Sequence, residues 1–144
     1  MNYRREMKDE LADGNGKSSS PAASPREPDF DVPPLSQDNV FDALASRRSR
    51  YVLLTTKQSD GPVEVDELVD TVAAWETGKP IDLVSDEHCK RVFTSLRHSQ
   101  LPKLAMMGLI QYDEDDGVVA RGPYAEQVDA YLDIAAVRDD NVDL

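Results

Sequence analysis

A lone cysteine, Cys89, leaves this chain of 144 residues without an intramolecular disulfide. With no Cys or His cluster around it, structural zinc is argued against as well. Long apolar runs are also missing. No stretch approaches the roughly 20 residues a membrane-spanning helix needs, and the N-terminus lacks the apolar segment of a signal peptide. A cytoplasmic protein with no membrane association is expected. The 7 glycines are scattered through turns instead of gathered in a phosphate-binding loop. Histidine is nearly absent, with only His88 and His98. His88 and Cys89 are neighbours, so on a helix they point about 100° apart and cannot pair as base and nucleophile. His98 lies nearly three turns from His88, too far to share a metal. The acidic run Asp113–Asp116 lacks the alternating spacing and terminal Glu of a calcium loop. No catalytic residue, metal or cofactor is therefore nominated, and the chain reads as a non-enzyme.

Positive charge is scarce too, with 16 Lys and Arg against 28 Asp and Glu and a net charge of −12. Taken whole, that balance is hostile to nucleic acid. It is not evenly spread. Residues 1–34 carry −2, residues 59–84 carry −6 and residues 106–144 carry −8, whereas residues 35–58 and 85–105 each carry +2. Both positive segments are helical candidates. The acid elsewhere fits a halophilic protein kept in solution in molar salt.

What is there centres on residues 85–119. Ser85 can cap a helix with acids in its first turn and Arg97 and His98 near its end, as the helix dipole prefers. Cys89, Val92, Phe93 and Leu96 recur at helical spacing as one apolar face. Glu87, Arg91, Thr94 and His98 fall into a polar stripe opposite, flanked by Lys90 and Arg97. Cys89 lies on the apolar face, where an inert core thiol is favoured over a redox sensor. A Leu101-Pro102 break is expected next, then a short helix through Lys103 and Leu104 ending at Gly108. Ile110-Gln111-Tyr112 and Val118-Val119-Ala120 around an acidic, Gly-containing turn read as a hairpin. Helix, short helix and hairpin form the back half of a winged helix-turn-helix, so the expected class is mainly α with a small β-hairpin.

The same residues carry a resemblance. Ala74-Trp75-Glu76, Lys90-Arg91-Val92, Leu101-Pro102-Lys103-Leu104, Gly108-Leu109-Ile110, Tyr112-Asp113 and Gly117-Val118-Val119 resemble a haloarchaeal winged-helix domain family, loosely similar to arsenic-repressor-type transcriptional regulators. The resemblance spans about residues 35 to 132 and is specific as a set. It implies a DNA-binding-type fold in a family largely without an assigned target.

The remaining chain fits around that unit. Residues 1–34, with Gly-Asn-Gly, Ser-Ser-Ser and repeated Pro, read as a disordered N-terminal arm. The domain proper is placed at 35–122. Ser36 caps a first helix with Val40, Phe41, Leu44 and Ala45 inward. Arg47, Arg48 and Arg50 open a second helix against its dipole, a cost that either local acids such as Asp42 or a phosphate-facing role would offset. Val63-Glu64-Val65 suits a brief edge strand. A third helix from Asp66 buries Val65, Leu68, Val69, Val72 and Trp75. A connection over residues 76–84, longer than a tight helix-turn-helix needs, is pinned by Ile81, Leu83 and Val84. Gly122-Pro123 begins a last helix, 123–136, before an acidic tail at 137–144. Its Tyr124, Val128, Tyr131 and Leu132 form a stripe that serves either as a homodimer seam or as cover for its own domain.

These features support a sequence-specific DNA-binding protein acting in transcription regulation as a homodimer, with helix 85–99 in the major groove of double-stranded DNA. Arg91, Thr94 and His98 are the candidates for base edges, with Ser95 at the margin. Lys90, Arg97 and Lys103 are candidates for phosphates, joined by Arg47, Arg48 and Arg50. The wing tip departs from the usual pattern, offering Asp113, Glu114, Asp115 and Asp116 where basic residues are common. The alternative from another class is a winged-helix module that binds a protein partner and leaves DNA alone.

Overall fold

Each of the first two helices begins where a serine can close it. The computed structural model describes residues 35–139; the expected arm at 1–34 and the end of the acidic tail lie outside them. Ser36 Oγ accepts from Asn39 N at 3.1 Å to start α1, Gln37–Leu44. Ser46 Oγ accepts from Ser49 N at 3.3 Å to start α2, Arg47–Gln58. Such caps satisfy N–H groups that have no partner within the helix. In α1 the inward face is Val40 and Ala43, not Phe41 and Ala45, which are exposed.

A two-residue strand β1, Val63–Glu64, leads into α3, Val65–Thr77, whose Val65, Leu68, Val69, Val72 and Ala73 are buried. Trp75 is half-buried, edge-on to Tyr51 with ring centroids 5.4 Å apart. The connection that follows carries a single 3₁₀ turn at Ile81–Leu83. Val84 and Ile81 hold it to the core, but Leu83 does not, being 68% exposed.

The Leu-Pro break does not occur. Helix α4, Asp86–Ser95, capped by Ser85 Oγ on His88 N, runs through a π-helical turn at Leu96–Gln100 directly into α5, Leu101–Met106. Pro102 has no N–H to offer, and in an α-helix its ring would press on the carbonyl four residues back. The π turn absorbs this conflict, with Leu101 N donating to Leu96 O, five residues back. The chain stays helical, and the face bearing Val92 and Leu96 continues into Leu101 and Leu104, all fully buried.

Gly108, at φ +76°, then turns the backbone into strand β2, Ile110–Asp113, which pairs with β3, Val118–Arg121. Strand β1 joins on the far side of β3, opposing Val63 to Val119, so the sheet is three antiparallel strands in the order β1-β3-β2. The expected edge strand is thus present, and it extends the hairpin. The exit from the sheet is tight: Gly122 N donates to Leu109 O and Tyr124 N to Gly108 O, at 3.0 and 2.9 Å.

The last helix, α6, runs Glu126–Arg138 and starts three residues later than the sequence suggested, because residues 123–125 form turns against Gly108 and Gly122. Its Val128, Leu132 and Ala136 are buried within the single chain, with Tyr124 and Tyr131 packed half-buried beside them. Within the stripe, Val128 and Leu132 cover the chain's own core, while Tyr124 and Tyr131 keep part of their surface exposed. The large apolar side chains that α6 does leave exposed are Ile134 and Val137, and Phe41 of α1 stacks edge-on against Tyr131 nearby. The whole is mainly helical with a small antiparallel sheet. No helix among the described residues is long and apolar enough to cross a membrane.

Candidate nucleic-acid interface

The burial of α4 on one side decides what its other side presents. Val92 and Leu96 are fully buried, and on the opposite face Lys90, Arg91, Thr94 and His98 are exposed. Glu87, of the stripe expected from helical spacing, is exposed with Arg91, Thr94 and His98, and Lys90 stands beside them. The margin is less open. Ser95 Oγ donates to Gln100 Oε1 at 2.7 Å, so its hydroxyl is turned back along the π turn. Arg97 lies over the Phe93 ring, 5.5 Å from its centroid. Lys103, on α5, reaches Asp42 Oδ2 of α1 at 3.0 Å.

The three arginines of α2 divide. Arg48 grips Glu76 with two hydrogen bonds, 2.8 and 2.7 Å. Arg50 grips Asp139 the same way at 3.1 and 3.2 Å and also donates to Leu44 O at 2.8 Å. Arg47 lies over the Tyr51 ring. For two of the three cations at this helix N-terminus the offset is thus supplied by carboxylates of the same chain, though from Glu76 and Asp139, not from Asp42. Arg48 and Arg50 are each engaged by a carboxylate of the same chain.

Glu76 is the residue the sequence did not single out as functional. It sits near the end of α3 with its side chain 13% exposed, and besides Arg48 it meets His88 Nε2 of α4 at 2.6 Å. Burial pushes the Glu76 carboxyl up, but the Arg48 guanidinium, by hydrogen bond and charge, and then His88 outweigh it and leave the acid below its ordinary value. One carboxylate thereby ties α2, α3 and α4 together. No spacing along the chain signals this, since the partners lie 28 and 12 residues away. The Cys89 thiol, half-buried on the other side of α4, is held above its ordinary value by burial and by the Asp70 and Asp86 carboxylates.

Between α4 and the hairpin lies an open cleft of about 400 Å³. Glu64, Asp66, Glu114, Asp115 and Asp116 line it together with Phe93 and Tyr112, and Arg97 is its single cation. The acidic hairpin tip foreseen from the sequence therefore does not stand alone; it faces further carboxylates at the start of α3. Among the described residues no three His, Cys, Asp or Glu side chains converge as a metal site would require.

No curated protein and no solved structure matches the chain. One family model does, over residues 41–120, a span that runs from α1 to the hairpin and includes the whole polar face of α4, and the chain accordingly belongs to that family, a domain of unknown function (DUF7344).

Proposed function

We propose that residues 35–139 form a winged helix-turn-helix domain that binds double-stranded DNA, with α4 in the major groove and the β2–β3 hairpin as the wing, and that the protein is a small transcriptional regulator. The observation that carries this reading is the exposed row Lys90, Arg91, Thr94 and His98 on a continuous helix whose opposite side packs on the core through the fully buried Val92 and Leu96, with Cys89 and Phe93 half-buried beside them. A helix anchored in this way can present its polar side to base edges without disturbing the core. The element order supports it: α3, α4 with α5, then a hairpin whose inner strand also pairs with β1. The ion pairs on this surface, Arg91 with Glu87 at 3.5 Å and Lys103 with Asp42, are exposed. Pairs of that kind contribute little and are readily exchanged for a phosphate.

Arginine reads guanine through two parallel hydrogen bonds worth roughly 1–3 kcal/mol of discrimination. Arg91→Ala is expected to weaken binding to the cognate site about ten- to a hundredfold, while Lys103→Ala weakens all sequences about equally. Sites recovered by genome-wide crosslinking, compared with scrambled duplexes at one fixed salt concentration, provide the assay. Equal binding by wild type and Arg91→Ala removes α4 from the groove.

A second reading, a protein-interaction module without DNA contact, is favoured by one specific observation: the carboxylate-lined cleft beside α4 repels phosphate wherever the wing would approach the backbone. Absence of any site-specific binding by wild type selects it. Should the protein act as a dimer, the large apolar side chains exposed among the described residues are Phe41, Leu83, Met106, Ile134 and Val137.

A further inference from the structure

The Arg48–Glu76–His88 contact does not end at the imidazole. Arg91 Nη2 lies 3.5 Å from His88 Nδ1, while Nη1 of the same guanidinium lies 3.5 Å from Glu87 Oε2. An arginine side chain can only donate, so an imidazole nitrogen that receives it must carry a lone pair. Nε2 then bears the ring hydrogen and donates it to Glu76 Oε2, at 2.6 Å. Both ring contacts are satisfied by one tautomer, neutral with the hydrogen on Nε2. A doubly protonated ring would turn an N–H toward the guanidinium and repel it. Glu76 is itself held by two hydrogen bonds from Arg48, so the chain of contacts starts in the half-buried junction of α2, α3 and α4 and ends at an exposed side chain on the polar face.

We propose that His88 is a positioning residue for Arg91: Glu76 fixes the imidazole as the Nε2–H tautomer, and the free Nδ1 holds the Arg91 guanidinium in place on the exposed face of α4. The consequence for recognition rests on the DNA reading above; the placement itself is a property of the protein alone. A long, flexible side chain ordered before it meets a ligand loses less freedom on binding. Glu87 also contacts Arg91, but at 84% exposure it is no anchor, whereas the His88 side chain is 22% exposed and tied from behind.

Two isosteric variants separate tether from positioning. His88→Gln keeps an N–H that can reach Glu76 and removes the Nδ1 acceptor. His88→Asn keeps an acceptor near the Nδ1 position and gives up the reach to Glu76. Nitrogen NMR of the full chain without DNA reads the imidazole tautomer and the order of the Arg91 Nε–H vector. The wild type is expected to show protonated Nε2, bare Nδ1 and an ordered Arg91. His88→Gln should keep the thermal midpoint and release Arg91, and His88→Asn should restore part of its order. An Nδ1–H tautomer in wild type, or an Arg91 equally ordered in His88→Gln, overturns the proposal without reference to DNA. In the DNA arm, the preference for cognate over scrambled duplex should fall about three- to tenfold in His88→Gln, the scale of one ordinary hydrogen bond. If Arg91→Ala lowers that preference and His88→Gln leaves it intact, positioning is refuted and the DNA reading stands. If Arg91→Ala leaves it intact, the DNA reading fails, and the NMR result alone decides the placement.

Discussion

Replacing Tyr51 by Phe should make this protein more stable, against the usual direction of a buried Tyr→Phe change. Tyr51 is fully buried in α2, and its hydroxyl has no hydrogen-bond partner among the described residues. A buried hydroxyl left unpaired costs about 1–3 kcal/mol, the same order as a good hydrogen bond would return. Phenylalanine keeps the ring, its edge-on contact with Trp75 and its place beneath the Arg47 guanidinium. Only the oxygen goes. A gain of about 1–2 kcal/mol at neutral pH follows, which for a domain of this size raises the thermal midpoint by roughly 4–8 °C per kcal/mol. Alkali gives a second reading of the same oxygen. Burial, first among several influences, raises the Tyr51 phenol above its ordinary 10.0. A raised group supports the fold fully below its unfolded value, and that support is lost as the pH climbs from there through the folded value. Wild type should therefore lose stability above about pH 10 faster than Tyr51→Phe does. Guanidinium melts of both proteins at neutral and at alkaline pH measure this, with an unchanged slope showing that the same transition is compared. A loss of stability in Tyr51→Phe at neutral pH would refute the reasoning, because it would mean the hydroxyl has a partner.

Two further substitutions test the packing around the sheet and α6. A Cβ at Gly122 would run into Gly108 O and lie 2.7 Å from both Ile110 N and Leu109 C, all backbone; Gly122→Ala should cost about 3 kcal/mol in chemical denaturation, and a neutral result would show that this junction yields. Val128→Asp places a charge at a site 1% exposed, so a thermal melt should register a loss of about 3–5 kcal/mol. Ile134→Asp, at a site 64% exposed, should leave that melt unchanged, and sedimentation of Ile134→Asp reports whether the exposed side of α6 holds a second copy.

The sequence alone determined most of the elements and, in α4, which side is polar. Period and capping chemistry are local: Ser36 and Ser85 cap where expected, and within α4 Val92 turns inward while Arg91 and Thr94 turn out because 3.6 residues make a turn wherever the α-helix lies; Leu96 stays buried and His98 exposed although both fall in the π turn. The acidic hairpin tip was equally legible, being a matter of composition. What required the tertiary structure was every question of partner. Whether Arg48 and Arg50 face a phosphate or a carboxylate depended on where Glu76 and Asp139 arrive from far along the chain. Whether the stripe of Val128 and Leu132 is a seam or a core face depended on how α6 docks. The helix runs on across Pro102 because a π turn accommodates it, and the core face shared by Val92, Leu96, Leu101 and Leu104 is buried along its whole length. Glu76 joined three helices by contacts that no periodicity encodes, since a hydrogen bond between distant residues depends on packing, which local spacing does not contain.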